Sequence, residues 1–105
     1  MLKPSKYKTV AELLADPGRW TQKAWARDGA GMVDHPDADT ACRWCLVGAC
    51  RHVYGAGTDE CREAVHAIAA EIPGILRAID KLIAFNDDPK TVHAEVLKAA
   101  RKAGV

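Results

Sequence analysis

The chain has 105 residues, of which 49% are hydrophobic and 28% are charged, as is typical of one globular domain. Its formal net charge of +1 argues against a dedicated polyanion-binding protein. No apolar run approaches the roughly 18 residues that a membrane-spanning helix needs, and the basic start lacks the apolar segment of a signal peptide. We therefore predict a cytoplasmic protein without membrane contacts, whose cysteines are thiols.

The first predicted elements are two short helices that follow a flexible N-terminal tail over residues 1–8. Thr9 and Glu12 have the spacing of a capping box, which predicts a helix that ends near residue 16. At Asp16-Pro17, an N-cap residue is followed by a proline suited to the first helical position. This pair predicts a second helix over about 17–28, with a polar loop behind it.

Four further helices are predicted in the rest of the chain. Glycine, proline and capping residues mark their bounds. The third helix, over about 39–54, stops at Gly55-Ala-Gly57, and Thr58 caps the fourth, which ends at Pro73-Gly74. The fifth begins at Ile75, and the segment 85–91 separates it from the last. No segment shows the alternation typical of a strand. We predict an all-α fold, a compact bundle of five or six short helices, in a single domain over residues 9–105.

The segment Cys42–His52 holds three of the four cysteines, with a spacing that resembles a zinc site. On the predicted helix, Cys50 lies about 140° round the axis from Cys45, so these ligands could not converge on one ion. We therefore predict no metal site and mainly structural, buried cysteines. Metal binding and redox chemistry stay as alternatives, and Cys50 with Cys61 is the favoured disulfide because a short turn joins their helices.

A second candidate site is the polar junction before the last predicted helix. Asn86 and Asp87 bring an amide and a carboxylate together there, and Thr91 follows with a hydroxyl. These groups could bind a cation or a polar substrate, but the spacing of a calcium loop is absent. Residues of these types more often cap helices and satisfy free backbone groups.

Three sequence motifs stand out along the chain. They are Arg19-Trp-Thr-Gln22 with Ala26-Arg-Asp28, then Trp44-Cys-Leu-Val-Gly-Ala49, and then Phe85-Asn-Asp87 leading into Thr91 and Glu95-Val-Leu97. Together they resemble an uncharacterised family of small helical proteins from bacteria and their phages, a domain of unknown function. In that family a tryptophan usually stands at the Phe85 position, and Cys45 is the one cysteine within a motif. The resemblance spans about residues 20–100 and implies no known activity, cofactor or catalytic residue.

The motifs also predict a common packing unit. Gly48 and Ala49 would let another helix approach closely, with the polar junction beside it. The remaining polar motif residues would either complete a buried network with that junction or line a small pocket. The candidate residues are Gln22, Arg27, Asp28, Asn86, Asp87 and Thr91.

Small size, near-neutral charge and the lack of catalytic motifs predict a non-enzymatic accessory or regulatory module, without a cofactor, that acts through a protein partner or by self-association. One alternative is a small-molecule binding protein or an enzyme whose pocket is built from Gln22, Arg27, Asp28, Asn86 and Asp87. A second is a weak DNA-binding regulator that uses the last helix, although the net charge disfavours a nucleic-acid partner. The basic residues near that helix are Lys90, Lys98, Arg101 and Lys102.

Overall fold

A computed structural model of the protein describes residues 6–105. Within these residues the chain forms five α-helices, two short β-strands and one 3-10 helix. In chain order they are α1 (Val10–Leu13), the 3-10 helix (Pro17–Arg19), β1 (Ala26–Asp28), β2 (Ala41–Trp44), α2 (Leu46–Tyr54), α3 (Asp59–Ala69), α4 (Ala78–Asp87) and α5 (His93–Ala103).

The predicted all-α fold is wrong, because β1 and β2 pair as a two-stranded antiparallel sheet. The fold is therefore mixed α/β. Ala26 lies opposite Trp44, and Asp28 lies opposite Ala41. The register becomes irregular after Arg27, as expected where an extra residue bulges one strand.

The predicted helix over 17–28 is wrong beyond its first turn. The Asp16 side chain caps that turn by accepting a hydrogen bond from Gly18 N, but the 3-10 helix ends after three residues. Beyond it, the backbone bonds to the β2 segment: Thr21 N donates to Trp44 O at 3.1 Å, and Trp25 O accepts from Cys45 N at 3.2 Å. Tertiary hydrogen bonds thus replace the helical ones, and helix propensity is too weak to prevent it.

The predicted third helix begins at Leu46 rather than near residue 39, because Ala41–Trp44 is committed to the sheet. Cys45 is extended, with φ −82° and ψ 178°, and its Sγ accepts a hydrogen bond from Gly48 N at 3.3 Å. A cysteine thus occupies the N-cap position, where serine, threonine, aspartate or asparagine is usual.

Several local signals are confirmed. The Thr9 side chain accepts from Glu12 N at 3.0 Å, and Thr58 Oγ1 accepts from Cys61 N at 3.0 Å at the start of α3. Gly55 ends α2 with φ 92°, a conformation that favours glycine. The fifth predicted helix, however, begins at Ala78 instead of Ile75.

The hydrophobic core surrounds α2, which packs against α1, α3 and α4. Its fully buried large side chains come from every helix and include Leu13, Leu46, Ile68, Leu82 and Val96. The predicted tail over residues 1–8 falls in part on residues 1–5, which lie outside the described residues. Tyr7, at its other end, packs against the core. In the described part of the chain, no helix is long and apolar enough to cross a membrane.

Candidate functional site

Asn86 forms the centre of a polar network at the end of α4. This asparagine is buried, with only 1% of it exposed. Its Oδ1 accepts from Trp20 Nε1 at 2.7 Å and from Leu46 N at 3.2 Å. Its Nδ2 donates to Thr21 O and to Asp87 Oδ1, both at 3.0 Å. An amide side chain offers two donors and an acceptor oxygen with two lone pairs, so this asparagine is fully satisfied by the protein.

Gln22 and Asp87 extend this network along the 20–23 segment. Gln22 Nε2 donates to Asn86 O at 2.9 Å and to Asp88 O at 3.1 Å, near the C-terminal end of α4. Asp87 Oδ1 accepts from Lys23 N at 2.8 Å. Lys23 has φ 64°, a left-handed conformation that costs a non-glycine residue about 1 kcal/mol. The carboxylate thus fixes an unfavourable turn against α4.

Arg27 joins the same network from β1. Its Nε donates to Thr21 Oγ1 at 3.0 Å, its Nη1 to Gly31 O at 2.9 Å and its Nη2 to Gln22 O at 3.3 Å. The guanidinium therefore joins β1 to two other segments, the one at Thr21 and Gln22 and the turn at Gly31. We name the set Thr21, Gln22, Arg27, Asn86 and Asp87 the Asn86 junction.

Asp28 and Thr91, the other two candidate residues, have separate roles. Asp28 Oδ1 accepts from Ala30 N at 2.9 Å and from Met32 N at 3.0 Å, which stabilises the turn after β1. Thr91 is buried, and its amide donates to Asp88 O at 3.0 Å before α5 begins. The geometry brings most of the candidate residues together as a network whose hydrogen bonds go to other protein groups, and the two clefts described below are lined by other residues.

Gly48 lies where the N-terminal turn of α2 meets the backbone of Trp25. A Cβ on this glycine would lie 1.8 Å from Trp25 O and 2.7 Å from Trp25 C, far inside van der Waals contact. The predicted close approach at this residue is thus confirmed, but the segment that approaches is the bend just before β1, not a helix.

The four cysteines are free thiols, with Cys42 exposed and the other three buried. Burial raises the pKa of Cys45 to about 11, and burial likewise raises the pKa values of Cys50 and Cys61. Thiols with raised pKa values stay protonated near neutral pH, and the thiolate is the form that binds metals and exchanges disulfides. The structure has no bond between Cys50 and Cys61.

The helical geometry that we used against a zinc site is itself corrected by the structure, because Cys42 belongs to β2 and Cys45 caps α2. Cys50 alone of the three thiols in that segment lies within the helix. Among the described residues, no group of three or more histidine, cysteine, aspartate or glutamate side chains is placed to hold a metal ion.

A cleft of about 540 Å³ lies beside β2, and Cys42, Trp44 and His52 are among its lining residues. Pro36 O accepts from Trp44 Nε1 at 2.9 Å and lies 2.8 Å from His52 Nδ1. Because a carbonyl only accepts hydrogen bonds, His52 Nδ1 carries the proton, and Asp37 Oδ1 lies 3.7 Å from that nitrogen. This arrangement is not predictable from the sequence, since a loop carbonyl leaves no signal in the residue pattern.

A second cleft, of about 570 Å³, lies between α2, α3 and the start of α4. Arg51, Arg62 and Arg77 line it together with apolar side chains, and we name it the arginine cleft. The apolar side chains that line it are Val47, Cys61, Val65, Ala78 and Ile79. Its remaining lining residues are Gly57, Thr58 and His66.

The loop over residues 70–77, which we name the α3–α4 loop, carries two exposed aliphatic side chains beside the arginine cleft. Ile75 is 102% exposed and Leu76 is 53% exposed, and they lie two residues and one residue before Arg77 of the cleft. The predicted helix that begins at Ile75 is wrong over these residues, because α4 begins at Ala78. Gly74, with φ 130°, is the local signal that the chain is not helical there.

The basic residues of the alternative DNA-binding surface lie on and before α5. Lys90, Lys98, Arg101 and Lys102 are all exposed. Arg101 and Lys102 belong to the last turn of α5, where positive charge stabilises the negative end of the helix dipole. This stabilising role accounts for two of the four basic residues without a nucleic-acid ligand.

Comparison with known proteins places the chain in a family but assigns it no activity. No curated protein matches the chain, and no solved structure matches it either. The predicted resemblance to a domain of unknown function is confirmed at the level of the family, since a family of unknown function matches residues 5–104, nearly the whole sequence. The chain therefore belongs to that family, DUF6197.

Proposed function

We propose that this protein is a non-enzymatic accessory or regulatory module that binds a protein partner through the α3–α4 loop. The observation that carries this proposal is the exposure of Ile75 and Leu76, which are 102% and 53% exposed. Aliphatic side chains that are adjacent and exposed form an apolar patch, and a contiguous patch marks a protein-interaction site more often than single scattered surface residues do. Burial against a partner would recover about 25 cal/mol for each Å² of apolar surface.

The geometry supports a pocket-based enzyme less well. Asn86 and Gln22 direct their side-chain amides at protein groups, and Arg27 directs its guanidinium at a hydroxyl and two backbone carbonyls. Groups that are already paired in a folded protein bind a substrate only if those hydrogen bonds are broken, at about 1–3 kcal/mol for each group left unsatisfied.

Location and origin belong to the same proposal. Four free thiols favour a reducing compartment, in agreement with the predicted cytoplasmic location. Only the motif resemblance supports a bacterial or phage origin.

Site-specific photo-crosslinking tests the proposed function. A photoreactive amino acid at position 75 should capture a discrete partner in the source cell, whereas the same amino acid at position 92 should not. Val92 is a matched control because it is a 54% exposed aliphatic residue at the start of α5. The captured protein is then purified and titrated with the wild-type chain and with Ile75→Asp.

The proposal requires that the purified partner bind the wild-type chain and that Ile75→Asp weaken binding by at least about tenfold. It fails if position 75 yields no discrete adduct, or if the captured protein binds both chains equally. Sedimentation velocity of the purified chain identifies any adduct between two copies, which would assign this surface to self-association.

A further inference from the structure

We propose that the arginine cleft binds an acidic amphipathic segment of the partner. In this arrangement carboxylates pair with Arg51, Arg62 and Arg77, while apolar side chains of the segment cover the cleft floor and the exposed Ile75 and Leu76. This inference rests on the proposed function and adds the chemistry of the partner to it.

The positive charge of the cleft is the first reason to expect an acidic partner segment. Its three arginines come from α2, α3 and the residue before α4, and none of the described residues that line it is an aspartate or a glutamate. Arg51 and Arg62 converge near the Cys61 thiol: burial raises the pKa of this thiol, and the positive charge of each guanidinium opposes that rise. A concave surface lined by charges of one sign attracts a ligand of the opposite sign.

The ion pairs that Arg62 and Arg77 already form do not prevent the carboxylates of a partner from binding them. Arg62 Nη1 lies 3.2 Å from Asp59 Oδ1, and Arg77 Nε lies 3.3 Å from Asp80 Oδ2. The Arg62 and Arg77 side chains are 65% and 87% exposed in these pairs. Exposed pairs contribute at most about 1 kcal/mol, so carboxylates of a partner can add to them or replace them at little cost.

Arg51 is the most constrained of the three. Its guanidinium lies 3.9 Å from the centroid of the Trp25 ring, a cation–π contact that holds the side chain in place. A guanidinium that is already oriented loses less side-chain entropy when it forms a two-bond pair with a carboxylate. We therefore place the strongest carboxylate contact at this residue.

The apolar part of the cleft requires that the partner segment carry apolar side chains as well as negative charge. Val47 and Val65 form its buried base, with only 1% and 8% exposed, and the half-buried Ala78 and Ile79 of α4 supply the accessible apolar surface. A volume of about 570 Å³ lies within the range of about 300–1,000 Å³ that is typical of ligand pockets. A helix with apolar residues at positions i, i+3, i+4 and i+7 presents side chains to such a groove.

A nucleic acid is a poorer occupant than an acidic protein segment. Phosphates would use the three arginines, but they would leave the apolar floor and the exposed pair at residues 75–76 uncovered. The formal net charge of +1 also gives little of the long-range attraction on which nucleic-acid affinity depends. Duplex DNA is accordingly an outcome of the test that would overturn the proposal.

A synthetic peptide series supplies the test. The probe is a fluorescent helical peptide of about 18 residues, with leucine at the i, i+3, i+4 and i+7 positions and glutamate elsewhere. One control peptide replaces every glutamate with lysine, and another replaces every leucine with glutamine. Fluorescence anisotropy measures the binding of each peptide, and of a labelled DNA duplex, to the full chain at low and at high salt.

We expect the acidic leucine peptide to bind at least about tenfold more tightly than either control peptide, and to bind more weakly as salt rises. The double variant Arg62→Gln/Arg77→Gln should weaken its binding by at least about tenfold. These residues form only exposed ion pairs, so the variant should fold, and circular dichroism checks that it does. Arg43→Gln/Arg101→Gln, also at exposed residues, is the matched control and should bind like the wild type.

The proposal is overturned if the lysine peptide or the DNA duplex binds as well as the acidic peptide, if leucine makes no difference, or if no peptide binds. Its failure is separable from that of the proposed function. A partner that crosslinks at position 75 and is lost on Ile75→Asp would leave the proposed function standing even if every acidic peptide failed.

Discussion

The Asn86 junction and the arginine cleft are both rich in polar side chains, but their polar groups face different surroundings. Asn86 is 1% exposed, and all its hydrogen bonds go to protein groups. Arg77, in contrast, has an 87% exposed side chain with an ion pair to Asp80 of α4. Polar residues in a motif therefore do not by themselves mark a binding site. Polar groups that face solvent beside an apolar surface are the better sign.

This difference in the exposure of the polar groups also ranks the changes in stability that we expect from mutations. A buried group that loses its partner costs about 1–3 kcal/mol, whereas an exposed ion pair contributes at most about 1 kcal/mol. Changes at the junction and at the helix beside it should therefore lower the free energy of unfolding. Changes at the cleft and its loop should leave stability intact and alter binding.

The largest effect is expected from Gly48→Ala, next to the junction. The new methyl group would overlap Trp25 O, a backbone atom at 1.8 Å, so relief requires that α2 and the bend before β1 separate. We expect a loss of about 4 kcal/mol or more, close to the whole stability of a small domain. Urea unfolding followed by circular dichroism measures it.

Gly29→Ala is the matched control, because a Cβ there would have no atom within 4 Å. Its free energy of unfolding should stay within about 0.5 kcal/mol of the wild type. If Gly48→Ala were as stable as Gly29→Ala, the close contact between α2 and the Trp25 backbone would be wrong.

Asn86→Leu should have the second largest effect. Leucine roughly keeps the volume but removes every hydrogen bond of the side chain, which leaves Trp20 Nε1, Leu46 N and Thr21 O without that partner. We expect a loss of about 3 kcal/mol in chemical unfolding. A loss below about 1 kcal/mol would mean that water enters and replaces the side chain.

Asn86→Asp separates the two halves of this amide. The carboxylate keeps the acceptor oxygen for Trp20 and Leu46, but it places negative charge against Thr21 O and Asp87 Oδ1. Burial and like charge raise the pKa of such a carboxyl, so its ionised form destabilises the fold near neutral pH. We therefore expect the stability deficit relative to the wild type to shrink as pH falls and the carboxyl binds a proton.

How far the sequence predicts this fold depends on how local each signal is. Thr9, Thr58 and Gly55 act through atoms within a few residues, and the structure confirms all three. The strands Ala26–Asp28 and Ala41–Trp44 are three and four residues long, too short to show alternation. They are stabilised by each other across a long loop, a contact that no local pattern records.

The candidate site shows the same limit. Gln22 and Asn86 are recognisable from their motifs, and the structure joins them directly, with Gln22 Nε2 bonded to Asn86 O. Arg51, Arg62 and Arg77 belong to no motif and are separated along the chain, so only the packing of α2, α3 and α4 brings them to one cleft. The exposed loop was missed because its aliphatic residues fit a helical spacing as well as a turn.

Asp87→Ala should have an intermediate effect. The change removes the acceptor of Lys23 N and of Asn86 Nδ2, for an expected loss of about 1–2 kcal/mol. Because Lys23 is left-handed, Lys23→Gly should recover part of this loss in the double variant, since glycine adopts positive φ without steric cost. Thermal unfolding of the four chains in a double-mutant cycle measures the coupling. Strict additivity would contradict the role of the carboxylate in fixing this turn.

The smallest effect on stability is expected from Ile75→Asp, the variant that should weaken partner binding. The side chain is 102% exposed, so its replacement removes no core contact, and the free energy of unfolding should change by less than about 0.5 kcal/mol. Leu82→Ala, at a residue with 0% exposure, is the contrasting control and should lose about 2–5 kcal/mol. If Ile75→Asp instead cost more than about 1 kcal/mol, the α3–α4 loop would pack on the domain in solution, and its aliphatic residues would serve the fold as the Asn86 junction does. A stable variant that no longer binds would separate the two regions by function as well as by structure. The α3–α4 loop could then change without loss of the fold, whereas the Asn86 junction could not.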